Sequence, residues 1–306
     1  MHLVAMRQQT IPKVLTHLKR AVAYVESASL VHVVSVLTLF LVLIFGFENA
    51  GFKIVVQVSL LAVLIRPALL HSPWLWGVIA TTGTCALLED WSVADNHKYL
   101  LTYWLWILTI AQSFPDQASK ERILTGNARF FLVFIFLAAV LQKVCSPTYM
   151  SSEMFELRLL LDDRFRAFAH LMGVDGSLID RAAMTMTTLK SPVVAIDDNR
   201  LNLASSDLVR RLALAITGYD LVIQILIGSL FALRRRMTDL LGHVLLLFFI
   251  FTTYIPAPVF GFGWTLAILG FADSKIKYPR ISVAYLVACL AILAYQTPWR
   301  EWVLGG

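Results

Sequence analysis

The sequence predicts an all-α polytopic, multi-pass membrane protein. It is read as a bundle of about 8–9 transmembrane helices with an extra-membrane helical segment on the outer face. Three observations carry this. Of the 306 residues, 58% are hydrophobic, and the mean hydropathy is +0.72. Only 15% are charged, against roughly 25% in an average soluble chain. Apolar runs of near-membrane length recur along the chain, and the connections between them alternate in charge.

Residues 1–28 place Arg7, Lys13, Lys19 and Arg20 among apolar residues at helical spacing, as in an amphipathic helix lying on an anionic leaflet. No apolar core followed by a small-residue cleavage site is seen there, so no removed signal peptide is expected. Residues 29–306 then read as a single transmembrane helical domain. Its apolar runs are Ser29–Phe47, Lys53–Leu70, Trp74–Leu88, Lys98–Phe114 and Arg129–Cys145, then Leu208–Leu233, Leu240–Pro256, Val259–Ala272 and Ile281–Tyr295. Pro256, Pro258, Gly261 and Gly263 crowd the start of the eighth run, so the seventh and eighth form either two crossings or a re-entrant pair.

Loop charges set the orientation. With the N-terminus cytoplasmic, the inner connections carry Lys120 and Arg122, then Arg234, Arg235 and Arg236, then Lys275, Lys277 and Arg280. The outer ones carry Glu48, then Glu89, Asp90 and Asp95, then a long insertion at 146–207. That is the positive-inside pattern, and it accounts for the net charge of +6. A lipid bilayer is therefore the implied partner, and nucleic acid is not. In the insertion, residues 152–173 have apolar residues at helical spacing and read as a helix capping the outer face. Residues 175–207, rich in Asp, Ser and Thr, read as a connector. Cys85, Cys145 and Cys289 have neither metal-knuckle nor disulfide spacing, and no metal site is expected.

The candidate chemistry lies in polar residues inside apolar runs. Lys143, beside Gln142, closes the fifth run, where it either snorkels to the headgroups or points into a polar cavity. Antiparallel neighbouring spans bring Asn96 and His97, at the outer end of the fourth run, to the same depth as Lys143. A desolvated lysine can act as a base, and a histidine beside it can relay a proton or stabilise an anion. The bland alternative is that these are ordinary interfacial polar residues. Asp220 and Gln224 share a face of the sixth run one turn apart, and an aspartate in hydrocarbon is a functional candidate that could pair with Lys143 or Arg129.

Asn96-His97-Lys98-Tyr99-Leu100, the Arg129-led aromatic run with Ala138-Ala139 and a closing Lys143, and Pro147-Thr148-Tyr149 occur in that order. This order resembles the membrane portion of vitamin K-dependent gamma-glutamyl carboxylase and its bacterial relatives, the HTTM (horizontally transferred transmembrane) proteins. The resemblance implies a lyase-type membrane enzyme in a bacterial inner membrane, with Lys143 as base and His97 and Asn96 as its catalytic companions. It also implies a reduced, vitamin K-like quinone as cofactor, with Gln142, Tyr99, Asp220 and His243 as candidates for holding it, and a peptide or protein as possible second partner. Two alternatives stand beside it: a non-catalytic scaffold or accessory subunit binding a partner through 146–207, and a transporter centred on Asp220.

Overall fold

The computed structural model describes residue 23 and residues 26–190, 205–254 and 259–296. Most of the basic N-terminal segment, and Pro256 and Pro258, lie outside the described residues. Among those described, the fold is all-helical, with no strand. In chain order the helices are α1 Leu30–Phe45, α2 Ala50–Ile65, α3 Pro73–Glu89, α4 Asn96–Gln112 and α5 Gln117–Val144. Four shorter ones follow, α6 Pro147–Met150, α7 Glu153–Leu161, α8 Asp163–Leu171 and α9 Gly176–Lys190. The last four are α10 Asp207–Ala232, α11 Arg236–Tyr254, α12 Phe260–Ser274 and α13 Pro279–Gln296.

Each apolar run of the sequence contains a helix among the described residues. Helices α5, α10 and α11 are long and apolar enough to cross a membrane, which marks this as a membrane protein. Polar residues stand where the helices begin: Ser29, Asn49 and Ser206 accept from the backbone N–H of His32, Phe52 and Val209. The second run is not one helix. Pro67 disfavours helical backbone at Arg66, so α2 stops at Ile65 and a 3-10 turn, Pro67–His71, finishes the run.

The chain divides into two compact units, Met1–Phe131 with Phe260–Gly306, and Leu132–Val259. In the first, α12 is buried all round from Gly263 to Ser274 and packs against α13, α1 and α4. A helix apolar on every face belongs in a core. Trp104 Nε1 donates to Thr38 Oγ1 (3.0 Å) and Trp264 Nε1 to the Leu37 carbonyl (3.2 Å), so the large aromatics lock α4 and α12 to α1 without stranding a donor. Helices α1 to α4 run alternately up and down. At one end His32 meets His71 and Gln117 reaches Ser29; at the other Asn49 Nδ2 donates to Glu89 Oε2 (2.6 Å) and Lys98 Nζ to the Phe45 carbonyl (3.0 Å).

Helix α12 approaches α13 closely because Gly270 lies flat against the ring of Tyr285, which is completely buried. A methyl group at 270 would overlap that ring. Gly270→Ala should therefore cost about 1–3 kcal/mol of stability, read as a lowered thermal midpoint in detergent. An unchanged midpoint would mean that the ring moves aside freely.

In the second unit, the insertion is a folded cap with its own apolar core. Phe155, Leu159, Leu160, Phe165, Ala169, Val174, Leu178, Ile179 and Ala182 pack together with Val209 and Ala213 from the first turns of α10. The stretch expected to be a connector instead contains α9, whose Leu178, Ile179 and Ala182 face this core.

Candidate functional site

Apolar sequence forces the ends of α5 and α10 into helix, and this sets the depth of their few polar side chains. Asp220 stands on α10 about two turns inside the apolar part that starts at Leu212. Lys143 is in the last turn of α5. After it the chain turns at Ser146, whose hydroxyl accepts from the Tyr149 N–H and starts α6. That turn points the Tyr149 ring into the cap, edge-on to Phe155 with centroids 5.7 Å apart.

The three side chains meet on one carboxylate. Lys143 Nζ and the Tyr149 hydroxyl both donate to Asp220 Oδ2, and Gln224 Nε2 donates to Asp220 Oδ1 at 2.6 Å. The Lys143 ammonium also lies 5.3 Å from the centre of the Tyr149 ring, within reach of a cation–π attraction. Asp220, Gln224 and Tyr149 are buried and Lys143 nearly so. Burial, then the hydrogen bond to Asp220, pushes the Tyr149 phenol up, so it keeps its proton and acts as a donor at neutral pH. With its amide nitrogen committed to Asp220, Gln224 presents a buried Oε1 that has no hydrogen-bond donor among the described residues. The arrangement can share a proton between amine and carboxylate, and it leaves one buried amide oxygen as an acceptor.

The other expected residues make contacts of their own. Asn96 and His97 open α4 in the first unit, whereas Lys143 belongs to the second. Asn96 is exposed. His97 lies with Nδ1 3.9 Å from Asp95 Oδ2 and its ring against Gly261. Tyr99 donates to the Trp91 carbonyl. Gln142 is exposed beside Lys143. His243, on α11, is fully buried with its ring edge-on to Phe231 at 5.0 Å.

Of the two partners open to Asp220, Lys143 is the one that meets it. Arg129 pairs instead with Asp273 of α12, at 3.7 Å between Nη1 and Oδ2. In the sequence Asp273 belongs to no pattern, and Tyr149 stands out only as part of a motif. A carboxylate two residues before Lys275 looks like loop charge, and a tyrosine six residues after Lys143 carries no signal of its own. Comparison with known proteins finds no matching family model, no matching curated protein and no matching solved structure.

Proposed function

We propose that this chain is a polytopic membrane enzyme that removes a proton from a lipid-soluble acid at the Lys143–Asp220–Tyr149 cluster. One observation carries the reading: three donors converge on a single buried carboxylate within a membrane-length helix, one of them the lysine that ends another such helix. Polar groups in such a place are costly and are kept for function. Lys143 Nζ donates directly to Asp220 Oδ2, so a proton has a one-step path between amine and carboxylate. The Lys143 proton can therefore pass to Asp220, leaving a free amine lone pair. That amine takes the proton of a hydroxyl held against Gln224 Oε1: one O–H bond breaks, one N–H bond forms, and the cluster gains a single positive charge. Tyr149 keeps its own proton and holds Asp220 in place.

The resemblance to the carboxylase-like membrane family enters as part of this proposal. It names a reduced quinone as the acid, which fits a cluster offering a base and a hydroxyl acceptor and which would supply reducing power when bound. The topology proposed with it is nine crossings in a bacterial inner membrane, N-terminus cytoplasmic, cap outside. It is supported by the up-and-down course of α1 to α4 and by Lys275 reaching the Glu26 carbonyl (2.9 Å), which puts the start of α1 and the end of α12 at one end of the first unit. A second reading, an accessory subunit gripping a protein through 146–207, is favoured by one observation, the folded apolar core that this segment shares with the first turns of α10.

The test is turnover of a short-chain naphthohydroquinone by the purified protein in detergent. Lys143→Ala should reduce it by about 10²–10⁴-fold. Lys143→Arg keeps the ion pair but cannot give up its proton, so it should be folded and equally inactive. Turnover that survives in Lys143→Arg would remove the base from the mechanism.

A further inference from the structure

A second titratable pair lies at the end of the first unit where α1 begins. His32 stands in the first turn of α1, and His71 ends the 3-10 turn that Pro67 imposes after α2. His32 Nδ1 and His71 Nε2 are 3.2 Å apart, with ring centroids at 5.4 Å and planes tilted by 30°. Two imidazole nitrogens can sit this close only if one carries a proton and the other offers a lone pair. A second proton removes the acceptor and places two cations in contact.

We propose that the His32–His71 contact is a proton-operated latch: it joins α1 to the 3-10 turn while at least one ring is neutral and releases them when both are charged. The groups around it favour release. Lys120, on α5, donates to Gln112 Oε1 (3.2 Å), and Gln112 Nε2 donates to Ser35 Oγ (3.1 Å), one turn along α1 from His32. Lys120 thus adds a third positive charge beside the pair, and its field reaches His71. Gln117 on the same helix binds Ser29 Oγ and Glu121 Oε1, both at 2.8 Å, so the carboxylate of Glu121 is held by a neutral amide. Glu26, before α1, meets Lys275 through its backbone carbonyl. Burial, then His32, then Lys120 hold His71 below the ordinary histidine range. A histidine with a lowered folded-state value binds protons more weakly than in the unfolded chain. Stability is therefore whole above about pH 6.5 and falls as the pH drops below it.

The test uses the full chain in detergent micelles with ¹⁵N-labelled histidine. The imidazole shift of His71 should titrate below the ordinary histidine value, and His32→Asn, which removes the contact, should move that titration up. The thermal midpoint should fall across the same window. His71→Asn should flatten that fall, and His71→Lys, charged throughout, should show the acid-like midpoint already at pH 8. A His71 titration at the ordinary histidine value, or one unmoved in His32→Asn, or an unchanged pH profile in His71→Asn, would overturn the latch. If either variant does not fold, the wild-type titration decides alone.

Discussion

Asp220→Ala is expected to lower the unfolding free energy by about 3–5 kcal/mol, the usual consequence of removing one member of a buried ion pair. The loss has two sources. The Lys143 ammonium, with only a fifth of its side chain exposed, keeps no counter-charge from α10. The Tyr149 hydroxyl and the Gln224 amide also lose their acceptor, and each stranded donor adds a desolvation cost. Asp220→Asn should cost less, because its amide oxygen still accepts from Tyr149 or Gln224. Removing both charges with Lys143→Met and Asp220→Leu together should recover the part of the loss that comes from the unpaired ammonium while abolishing turnover, and leave the part that comes from the Tyr149 and Gln224 donors. Equilibrium unfolding in detergent measures all three. A double variant as unstable as Asp220→Ala alone would show that the pair is held by shape and not by charge.

How far the sequence could lead depended on how rare each residue type is in its surroundings. A lysine and an aspartate inside apolar runs stand out because hydrocarbon penalises them, so Lys143 and Asp220 were visible as possible partners. Tyr149 was not, because tyrosine is at home at a membrane interface. Its bond is to Asp220, far along the chain, and its ring sits in the core that Phe155 shares, which no local pattern announces. Helix α9 was hidden for another reason. Its Thr185 and Thr187 hydroxyls bond back to the Arg181 and Ala183 carbonyls of their own helix, both at 2.9 Å. The composition reads as loop, but these hydroxyls find their partners within the helix. Proline at 67 did announce the break after α2, yet hydropathy alone ran straight through it to Leu70.

Asp273→Ala is the second variant expected to have a large effect, about 3–5 kcal/mol, in the first unit. Asp273 is 1% exposed on a helix buried on every side, and the Arg129 guanidinium facing it is 10% exposed. Thr125 Oγ1, one turn before Arg129 on α5, also donates to the Ala272 carbonyl (3.3 Å), so α5 and α12 are joined by a charge pair and a neutral bond side by side. Removing the carboxylate leaves a guanidinium that cannot discard its proton at any accessible pH, unlike a lysine, which can escape burial by becoming neutral. For that reason Asp273→Ala should be at least as damaging as Asp220→Ala, although its ion pair is longer. Arg129→Met with Asp273→Leu should restore most of the loss. Turnover per folded molecule should survive in that double variant, because proton transfer is assigned to residues of the second unit. Stability of the single variant within 1 kcal/mol of wild type, read from unfolding curves in detergent, would show that Arg129 finds its stabilisation elsewhere, at an energy set by hydrogen bonding alone.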